Sequence, residues 1–209
     1  MENTRCSALE AVLCTGQRPS EYFRRLRGEN ALCPAFAELA ALIGVPQPPA
    51  HHAEGDVWEH TMLVLDAAAA LRPQAQQPFV FMLSALCHDL GKPAVTAVID
   101  GRIRALGHEA AGLAPARALL GRHGVPAALT EQVCNMITLH MRPNLLAAQS
   151  SGVSATNRLF RKSCCPADLV LLAAADRNGR LPARPEADAA AECYLRRRLA
   201  LFEQSTGKE

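Results

Sequence analysis

Apolar positions recur at helical spacing along most of the chain, which predicts a structure built almost wholly from α-helices. The pattern Trp58, Met62, Leu65 and Ala69 predicts a helix of about four turns that carries His60 near its beginning, with Asp56 as its N-cap. Further helices are predicted over residues 8–13, 20–26, 33–43, 78–90, 108–123, 126–140, 154–162, 166–175 and 185–203. The helix over 78–90 is apolar nearly all round, which predicts that it is the central, most buried element.

The helical pattern breaks at residues 95–106, where two short alternating runs flank Asp100-Gly101. This arrangement is the strongest short-range signal for a hairpin turn, so one small β-hairpin is predicted there. Proline marks two further breaks. We expect Pro115 to kink or restart a helix and Pro143 to stop the helix over 126–140, with a loop running on to residue 152.

Composition favours the same all-α class and excludes several functions. Hydrophobic residues make up 49% of the 209 positions but aromatic residues only 4%, so the core is expected to consist mainly of Ala, Leu and Val. The net charge of +2 provides no global field that would attract nucleic acid or an anionic membrane. The eight cysteines form no Cys-x-x-Cys pair, which argues against a zinc ribbon. Since no signal peptide or run of 18 apolar residues is found, a cytoplasmic protein without membrane contact is expected.

Candidate chemistry centres on the segment from Ala85 to Pro93, where an apolar helix ends in His88-Asp89. We expect Gly91 to end this helix in the left-handed cap conformation, and Pro93 to prevent its continuation. Lys92 then places a flexible cation just beyond the pair. An imidazole and a carboxylate suit a metal ion and a cation suits phosphate, so the segment predicts a site that binds both.

Three different helices offer ligand-type residues at an end or on a buried face: His60, then His88 with Asp89, then Asp176. A divalent ion held by two imidazoles and two carboxylates keeps open positions for water. Because the ion lowers the pKa of that water, the resulting hydroxide can attack phosphorus. The pattern therefore predicts metal-assisted phosphoester hydrolysis.

Simpler interpretations exist for each residue. His60 can be a partly buried surface histidine, and Asp176 can cap the turn that follows it. His108 and His140 are as readily explained as hydrogen-bonded core or surface histidines, and His51, His52 and His123 are given no role. The basic run over 158–162 is either a solvated face or a contact with phosphate or RNA.

The spacing of His60, the segment from Leu86 to Lys92, the hairpin leading to Gly107-His108-Glu109, and Asp176-x-x-Gly179-Arg180 resemble the HD superfamily of metal-dependent phosphohydrolases. Residues 19 to 180 are also similar to the neck and C-terminal HD region of bacterial multifunctional CCA tRNA nucleotidyltransferases. That second similarity includes Pro19 to Phe23, Leu42 to Pro46 and Glu54 to Thr61.

The resemblance implies an all-α HD-domain bundle with phosphohydrolase activity of the 2′,3′-cyclic phosphodiesterase, 2′-nucleotidase or phosphatase kind, by attack of a metal-bound hydroxide. It implies His60, His88, Asp89 and Asp176 as metal ligands, with His108 and His140 for a second ion. One or two divalent metal ions are expected, and the candidate metals are Mn, Ni, Co, Fe and Mg. Asp89, His108 and His140 are the candidate catalytic residues, and Lys92, Arg104, Arg177 and Arg180 the candidate phosphate- or substrate-binding residues.

The resemblance also implies how the chain divides into domains and which activity it lacks. We expect a neck-like helical segment over residues 1–50, an HD phosphohydrolase domain over 51–182 and a packed C-terminal helix over 183–209. Because no Gly-rich turn or paired acidic strand precedes the neck-like segment, nucleotidyltransferase activity is not expected. A nucleotide or RNA end is the expected substrate, and tRNA is a further candidate partner. Two alternatives stay open, a non-catalytic nucleotide- or RNA-end-binding module and a helical interaction surface without metal.

Overall fold

Helices pack around a buried hydrophobic core, and the prediction of an all-α fold is confirmed. The computed structural model describes residues 2–50 and 52–206, with side chains described from residue 6 onward. The helices are α1 Glu2–Thr15, α2 Ser20–Gly28, α3 Ala37–Ala40, α4 Val57–Leu71, α5 Pro78–Cys87, α6 Lys92–Val95, α7 His108–Ala111, α8 Leu113–Arg122, α9 Ala127–Leu139, α10 Met141–Ala148, α11 Val153–Phe160, α12 Pro166–Asn178 and α13 Pro185–Thr206. A short 3₁₀ helix, Arg72–Gln74, follows α4. None of the described helices is long and apolar enough to cross a membrane.

Helix α5 lies at the centre of the fold, as its sequence predicts. It packs against α4, α9 and α12, and every residue from Val80 to Cys87 is buried. Burial of one large apolar side chain contributes roughly 1.5–3 kcal/mol. Because so many such side chains lie on and around α5, this helix bundle rather than the exposed hairpin dominates the stability of the fold.

The predicted N-cap of α4 is confirmed. Asp56 Oδ1 accepts a hydrogen bond from the backbone N–H of Glu59 at 2.9 Å, and its second oxygen accepts one from Gly44 N–H at 2.6 Å. The same carboxylate thus pairs with a backbone N–H that has no partner within the helix, and it also attaches the preceding loop to the start of α4. This arrangement fixes the first turn of α4, which ends at His60.

The predicted β-hairpin is confirmed as well. Strands β1 Ala97–Ile99 and β2 Arg102–Arg104 pair antiparallel, with Val98 opposite Ile103. The two turn residues, Asp100 and Gly101, have φ angles of 51° and 70°, the left-handed values that a two-residue type I′ turn requires.

The two predictions about proline have different outcomes. The helix opened at His108 does restart at Pro115, since α7 ends at Ala111 and α8 begins at Leu113. The prediction of a loop after Pro143 was wrong, since α9 ends at Leu139 and a new helix, α10, begins at Met141. Each proline lies in the first turn of its helix, where the missing N–H has no intrahelical partner to lose.

Other boundaries also differ from the predictions. The helix predicted over 33–43 is regular only in α3, and turns surround it. Helix α1 is longer than the short element predicted near residues 8–13, although it ends before Gly16 as expected. Helix α10 occupies most of the segment predicted to be a loop after Pro143. The additional helical residues in α1 and α10 arise because packing against neighbouring helices stabilises helical segments whose own periodicity is weak.

Candidate metal centre

Six buried histidine and aspartate side chains converge from five separate parts of the chain. His60 ends the first turn of α4, His88 and Asp89 follow α5, His108 begins α7, His140 links α9 to α10, and Asp176 lies in the last turn of α12. Each is less than 9% exposed. The structure therefore brings together all six residues that the sequence singled out as ligands.

The first group of possible ligand atoms comprises His60, His88 and Asp176. His60 Nε2 lies 3.2 Å from Asp176 Oδ1 and 3.4 Å from His88 Nε2. Asp89 Oδ2 lies beside this group, 3.1 Å from His88 Nε2 and 3.7 Å from His60 Nε2.

The second group comprises Asp89, His108 and His140. His108 Nε2 lies 3.5 Å from Asp89 Oδ1 and 3.3 Å from His140 Nε2. The two oxygens of Asp89 thus face different groups. A single carboxylate stands between two sets of nitrogen and oxygen ligands.

These side chains fit divalent metal ions, as the orientation of the imidazoles shows. Nδ1 of His88, His108 and His140 donates to the backbone carbonyl oxygen three residues earlier, at 2.8, 2.8 and 2.6 Å. In the neutral rings, Nε2 therefore carries the lone pair, and two such nitrogens only 3.3 Å apart repel unless a cation or proton separates them. Ligand atoms that surround one ion at about 2.1 Å lie roughly 3–4 Å apart, as these do.

Asp89 supplies a second observation that fits a metal ion. Its buried Oδ2 makes no hydrogen bond with any described residue, although Lys92 Nζ forms an ion pair with it at 2.7 Å. A carboxylate oxygen has two lone pairs, so this buried oxygen can bind a second cation beside the ammonium group of Lys92. Coordination to a metal ion would use that remaining capacity.

The site mixes negative carboxylates with both charged and neutral imidazoles. Burial raises the pKa of Asp89 and Asp176, but the contacts of Asp89 with His88 and Lys92 and of Asp176 with His60 outweigh burial and hold both pKa values below their usual range. Burial lowers the pKa of His60, yet hydrogen bonds to Asp176 and Glu54 outweigh it and raise the pKa to about 9. For His140, burial and the nearby His88 lower the pKa to about 4. His140 is accordingly neutral near pH 7, which is the form that binds metal.

Glu54 supports the site but was not identified from the sequence. Its Oε1 accepts hydrogen bonds from Nδ1 of His60 at 3.0 Å and of His52 at 2.7 Å, and its Oε2 accepts one from the backbone N–H of Leu181 at 2.9 Å. These bonds lower its pKa to about 2, although burial opposes the shift. His52, to which we assigned no role, therefore belongs to the surroundings of the site. No local pattern reveals Glu54, because it lies in a loop without periodicity.

Asp176 is held by a second supporting contact that the sequence did not reveal. Asn144 Nδ2 donates to Asp176 Oδ2 at 3.3 Å, and Asn144 Oδ1 accepts a hydrogen bond from Arg177 Nη1. Arg177 is buried, and its guanidinium also lies 3.8 Å from Asp188. It is not among the residues that line the cavity described next, so its predicted contact with substrate stays a prediction.

A cavity of about 340 Å³ opens onto both ligand groups. Three of the four residues predicted to bind phosphate line it: Lys92, Arg104 and Arg180. Lys92 donates a hydrogen bond to Gln47 Oε1 at 2.7 Å, which holds the ammonium group beside Asp89. The hairpin supplies the opposite wall, because Arg104 lies at the end of β2. The cavity therefore combines buried candidate metal ligands with cations suited to a phosphate group.

Two glycines allow the ligand-bearing segments to approach each other closely. The prediction that Gly91 takes the left-handed conformation was wrong, since its φ is −85°. Instead, a Cβ atom at Gly91 would lie 2.0 Å from the carbonyl oxygen of His108. A Cβ at Gly179 would lie 2.6 Å from the backbone nitrogen of Val64, where the end of α12 meets α4. Glycine is required because backbone atoms occupy the space of a side chain.

His123 and the cysteines do not line the cavity. His123 stacks on Phe36 with ring centroids 4.5 Å apart, and His51 lies outside the described residues. Cys87 is fully buried beside the ligands, where burial raises the pKa of its thiol, consistent with a packing role. All eight cysteines are free.

Comparisons with known proteins agree with this geometry. The family model for the HD domain matches residues 57–180. The chain is 35% identical to a multifunctional CCA protein of Actinobacillus pleuropneumoniae serotype 5b over 78% of this chain and 40% of that protein. It is 44% identical to the multifunctional CCA protein of Chromobacterium violaceum over 52% of this chain and 25% of that protein. The chain thus spans at most about 40% of the length of these relatives. Because the HD model covers more than half of the chain, the chain belongs to the HD domain family, and so to the superfamily of metal-dependent phosphohydrolases.

Proposed function

We propose that this chain hydrolyses phosphoesters of nucleotides or RNA ends, with two divalent metal ions held on either side of Asp89. The observation that carries the proposal is the position of Asp89, whose two oxygens face different groups of buried ligands. A carboxylate shared in this way is typical of sites in which two ions act on one phosphate.

The ligands divide between the two ions. His60, His88 and Asp176 with Asp89 Oδ2 would hold one ion, and His108 and His140 with Asp89 Oδ1 the other. When bound, such ions supply an activated water and neutralise charge on the phosphoryl group. The mixed nitrogen and oxygen ligands favour manganese, iron, cobalt or nickel over magnesium, which prefers oxygen and retains its waters.

Three cations would position the phosphate of the substrate. Lys92, Arg104 and Arg180 line the cavity, and Lys92 already lies beside Asp89. Because Nδ1 of His108 donates to a backbone carbonyl, its Nε2 is the only ring nitrogen that can face the substrate. If the second ion is absent, this nitrogen can carry the proton for the leaving oxygen.

The substrate class follows from the resemblance and from the relatives. The HD region that this chain resembles acts on 2′,3′-cyclic phosphodiesters and 2′-phosphates, and the matched relatives are named multifunctional CCA proteins. We therefore propose cyclic or terminal phosphates of nucleotides and RNA, with a tRNA end as one candidate. Addition of nucleotides is not proposed, because the comparison covers the HD region of those proteins and not their whole length.

The test compares wild type with Asp89→Asn in metal content and turnover. We expect wild type to bind about two equivalents of Mn²⁺ and to hydrolyse adenosine 2′,3′-cyclic phosphate, 2′-AMP or para-nitrophenyl phosphate. Asp89→Asn should lose bound metal and lower turnover by more than about 100-fold, since it removes a ligand of both ions. Asp100→Asn in the exposed hairpin turn changes the same chemical group outside the cavity and should behave like wild type.

Each other result would contradict the proposal in a defined way. Metal binding with nucleotide binding but no turnover would support the non-catalytic binding module instead. One equivalent of metal with full activity would contradict the two-ion arrangement. Loss of activity in Asp100→Asn as well would show that the effect of Asp89→Asn is not specific to the site.

A further inference from the structure

A second concave surface lies between α9, α10 and α11, outside the catalytic cavity. We call it the basic groove, and it has a volume of about 630 Å³. Its lining includes Leu139, Leu146 and Leu159 together with Arg142, Arg158 and Lys162. The floor of the groove is apolar and three cations stand around it.

The charge of the basic groove is not neutralised. Arg142, Arg158 and Lys162 are exposed, and none of them forms an ion pair with a described residue. No acidic residue lines the groove within the described chain. Elsewhere, Arg117 and Arg122 pair with carboxylates of Glu131 and Glu38. Three unpaired cations around one groove produce a local positive potential, which the net charge of +2 for the whole chain does not indicate.

The basic groove and the catalytic cavity are lined by consecutive residues of the chain. His140 and Met141 line the cavity, whereas Leu139 and Arg142 line the groove. Helix α10 contributes to both, since it carries Met141 and Arg142, and its Asn144 contacts Asp176. A linear ligand with its terminal phosphate at the metal centre would have to pass Met141 to reach the basic groove.

We propose that the basic groove binds the phosphate backbone of a single-stranded RNA whose 3′ end occupies the catalytic cavity. This inference rests on the proposed function, and it narrows the substrate from a mononucleotide to a strand. A cavity of about 340 Å³ admits an object of roughly nucleotide size, so a duplex end would have to separate before entering.

The lining also determines what the groove recognises. It contains leucines but no aromatic side chain, so stacking with successive bases is not available. Arginine and lysine bind phosphate oxygens, which are the same at every nucleotide. We therefore expect binding that depends on strand length and salt but little on sequence.

The first experiment measures binding without turnover. Fluorescence anisotropy of fluorescein-labelled hexa-adenylate is recorded in EDTA with wild type, with Arg142→Gln/Arg158→Gln/Lys162→Gln and with Arg18→Gln/Arg25→Gln/Arg27→Gln as a control of equal charge outside the groove. The groove variant should bind at least tenfold more weakly, and its logarithmic salt slope should fall by about 2, as for three phosphate contacts on a single strand. The control should stay within about threefold of wild type, and hexa-uridylate should bind like hexa-adenylate.

The second experiment measures turnover with Mn²⁺. Wild type should hydrolyse hexa-adenylate ending in a 2′,3′-cyclic phosphate with a higher kcat/KM than adenosine 2′,3′-cyclic phosphate. The groove variant should lose this advantage but keep its activity on the mononucleotide. If strand binding depends on the groove and neither substrate is hydrolysed, the groove inference stands and the proposed function fails.

Three outcomes would overturn the groove inference. The first is equal strand binding by wild type and the groove variant while the mononucleotide is still hydrolysed. The second is groove-dependent binding of a labelled poly-glutamate peptide without binding of hexa-adenylate, which would indicate an acidic protein partner. The third is equal weakening in the groove variant and the control. Should the groove variant melt below wild type, Arg158→Glu alone replaces it and is expected to weaken strand binding in the same direction.

Discussion

The orientation of each histidine at the centre depends on a contact behind the ring. His88, His108 and His140 all donate Nδ1–H to a backbone carbonyl three residues earlier, which turns Nε2 toward the ligand groups. His60 differs, because its Nδ1 faces the carboxylate of Glu54 at 3.0 Å. A carboxylate behind a metal-binding imidazole fixes the ring and increases its basicity.

Glu54→Gln tests this contact. Loss of the negative charge should lower the affinity for Mn²⁺ by about 10- to 100-fold, because a neutral amide supports the His60 ring less well. Competition with a fluorescent chelator measures the affinity. Glu59→Gln is the matched control, since Glu59 lies on α4 beside His60 but pairs with Arg24 and Arg27 instead. Equal affinity in wild type and Glu54→Gln would show that Glu54 has no part in holding metal.

At the scale of elements, the site depends on short distances between helix ends. The loop after α5 touches the backbone of α7 at Gly91, and this contact sets the position of His108 relative to Asp89. A methyl group at Gly91 would overlap three backbone atoms, of His108, Gly112 and Ala111. Helix α7 would have to move, since backbone atoms cannot rotate away as a side chain can.

Gly91→Ala is therefore expected to destabilise the fold by about 1–3 kcal/mol and to weaken binding of the second ion. Chemical denaturation and titration with Mn²⁺ measure the two effects. Gly121→Ala provides the control, because a methyl group there meets nothing within 4 Å in helix α8 and should leave stability equal or slightly higher. Wild-type stability and metal stoichiometry in Gly91→Ala would contradict the role assigned to this close contact.

At the scale of the whole molecule, the N-terminal helices are joined to the rest by polar contacts as well as by the core. Glu38 in α3 accepts two hydrogen bonds from the guanidinium of Arg122 in α8, at 2.6 and 2.7 Å. Ser20 at the start of α2 donates to Asp66 of α4 through its backbone N–H and its hydroxyl, at 3.0 and 2.7 Å. The proposed boundary between the segments 1–50 and 51–182 stays a prediction, and these contacts cross it.

The contribution of the Glu38–Arg122 pair should depend on pH. The hydrogen bond from Arg122 holds the pKa of Glu38 below its usual value, although burial opposes the shift, so the folded state favours the ionised form. Glu38→Gln should thus lower the free energy of unfolding by up to about 1 kcal/mol at pH 7. The difference from wild type should shrink as the pH falls below the ordinary pKa of glutamate and vanish below the lowered one.

Urea denaturation between pH 7 and pH 3, in EDTA so that metal binding does not contribute, measures this difference. Glu131→Gln is the comparison, because the Arg117–Glu131 pair has similar geometry but is exposed, and it should show a smaller effect. A difference between wild type and Glu38→Gln that is the same at pH 7 and pH 3 would contradict the assignment.

The sequence by itself determined the fold class, the hairpin and the chemical types of the ligands. Helical periodicity, the Asp100-Gly101 turn and the Asp56 cap are local features, and neighbouring residues decide them. The helix that contains Pro143 could not be predicted in the same way, because a proline is tolerated or not according to where the first turn of the helix falls. That position depends on burial against other helices.

Only the tertiary structure decided which side chains meet. Glu54 contacts Leu181 across 127 positions of the chain, and Asn144 contacts Asp176 across 32. Asp89 lies between two ligand groups because packing brings several helix ends together. The basic groove forms in the same way, between helices that pack against each other. The sequence gives the type of each side chain directly. Contacts between residues far apart in the chain depend on how the helices pack, which no local pattern encodes.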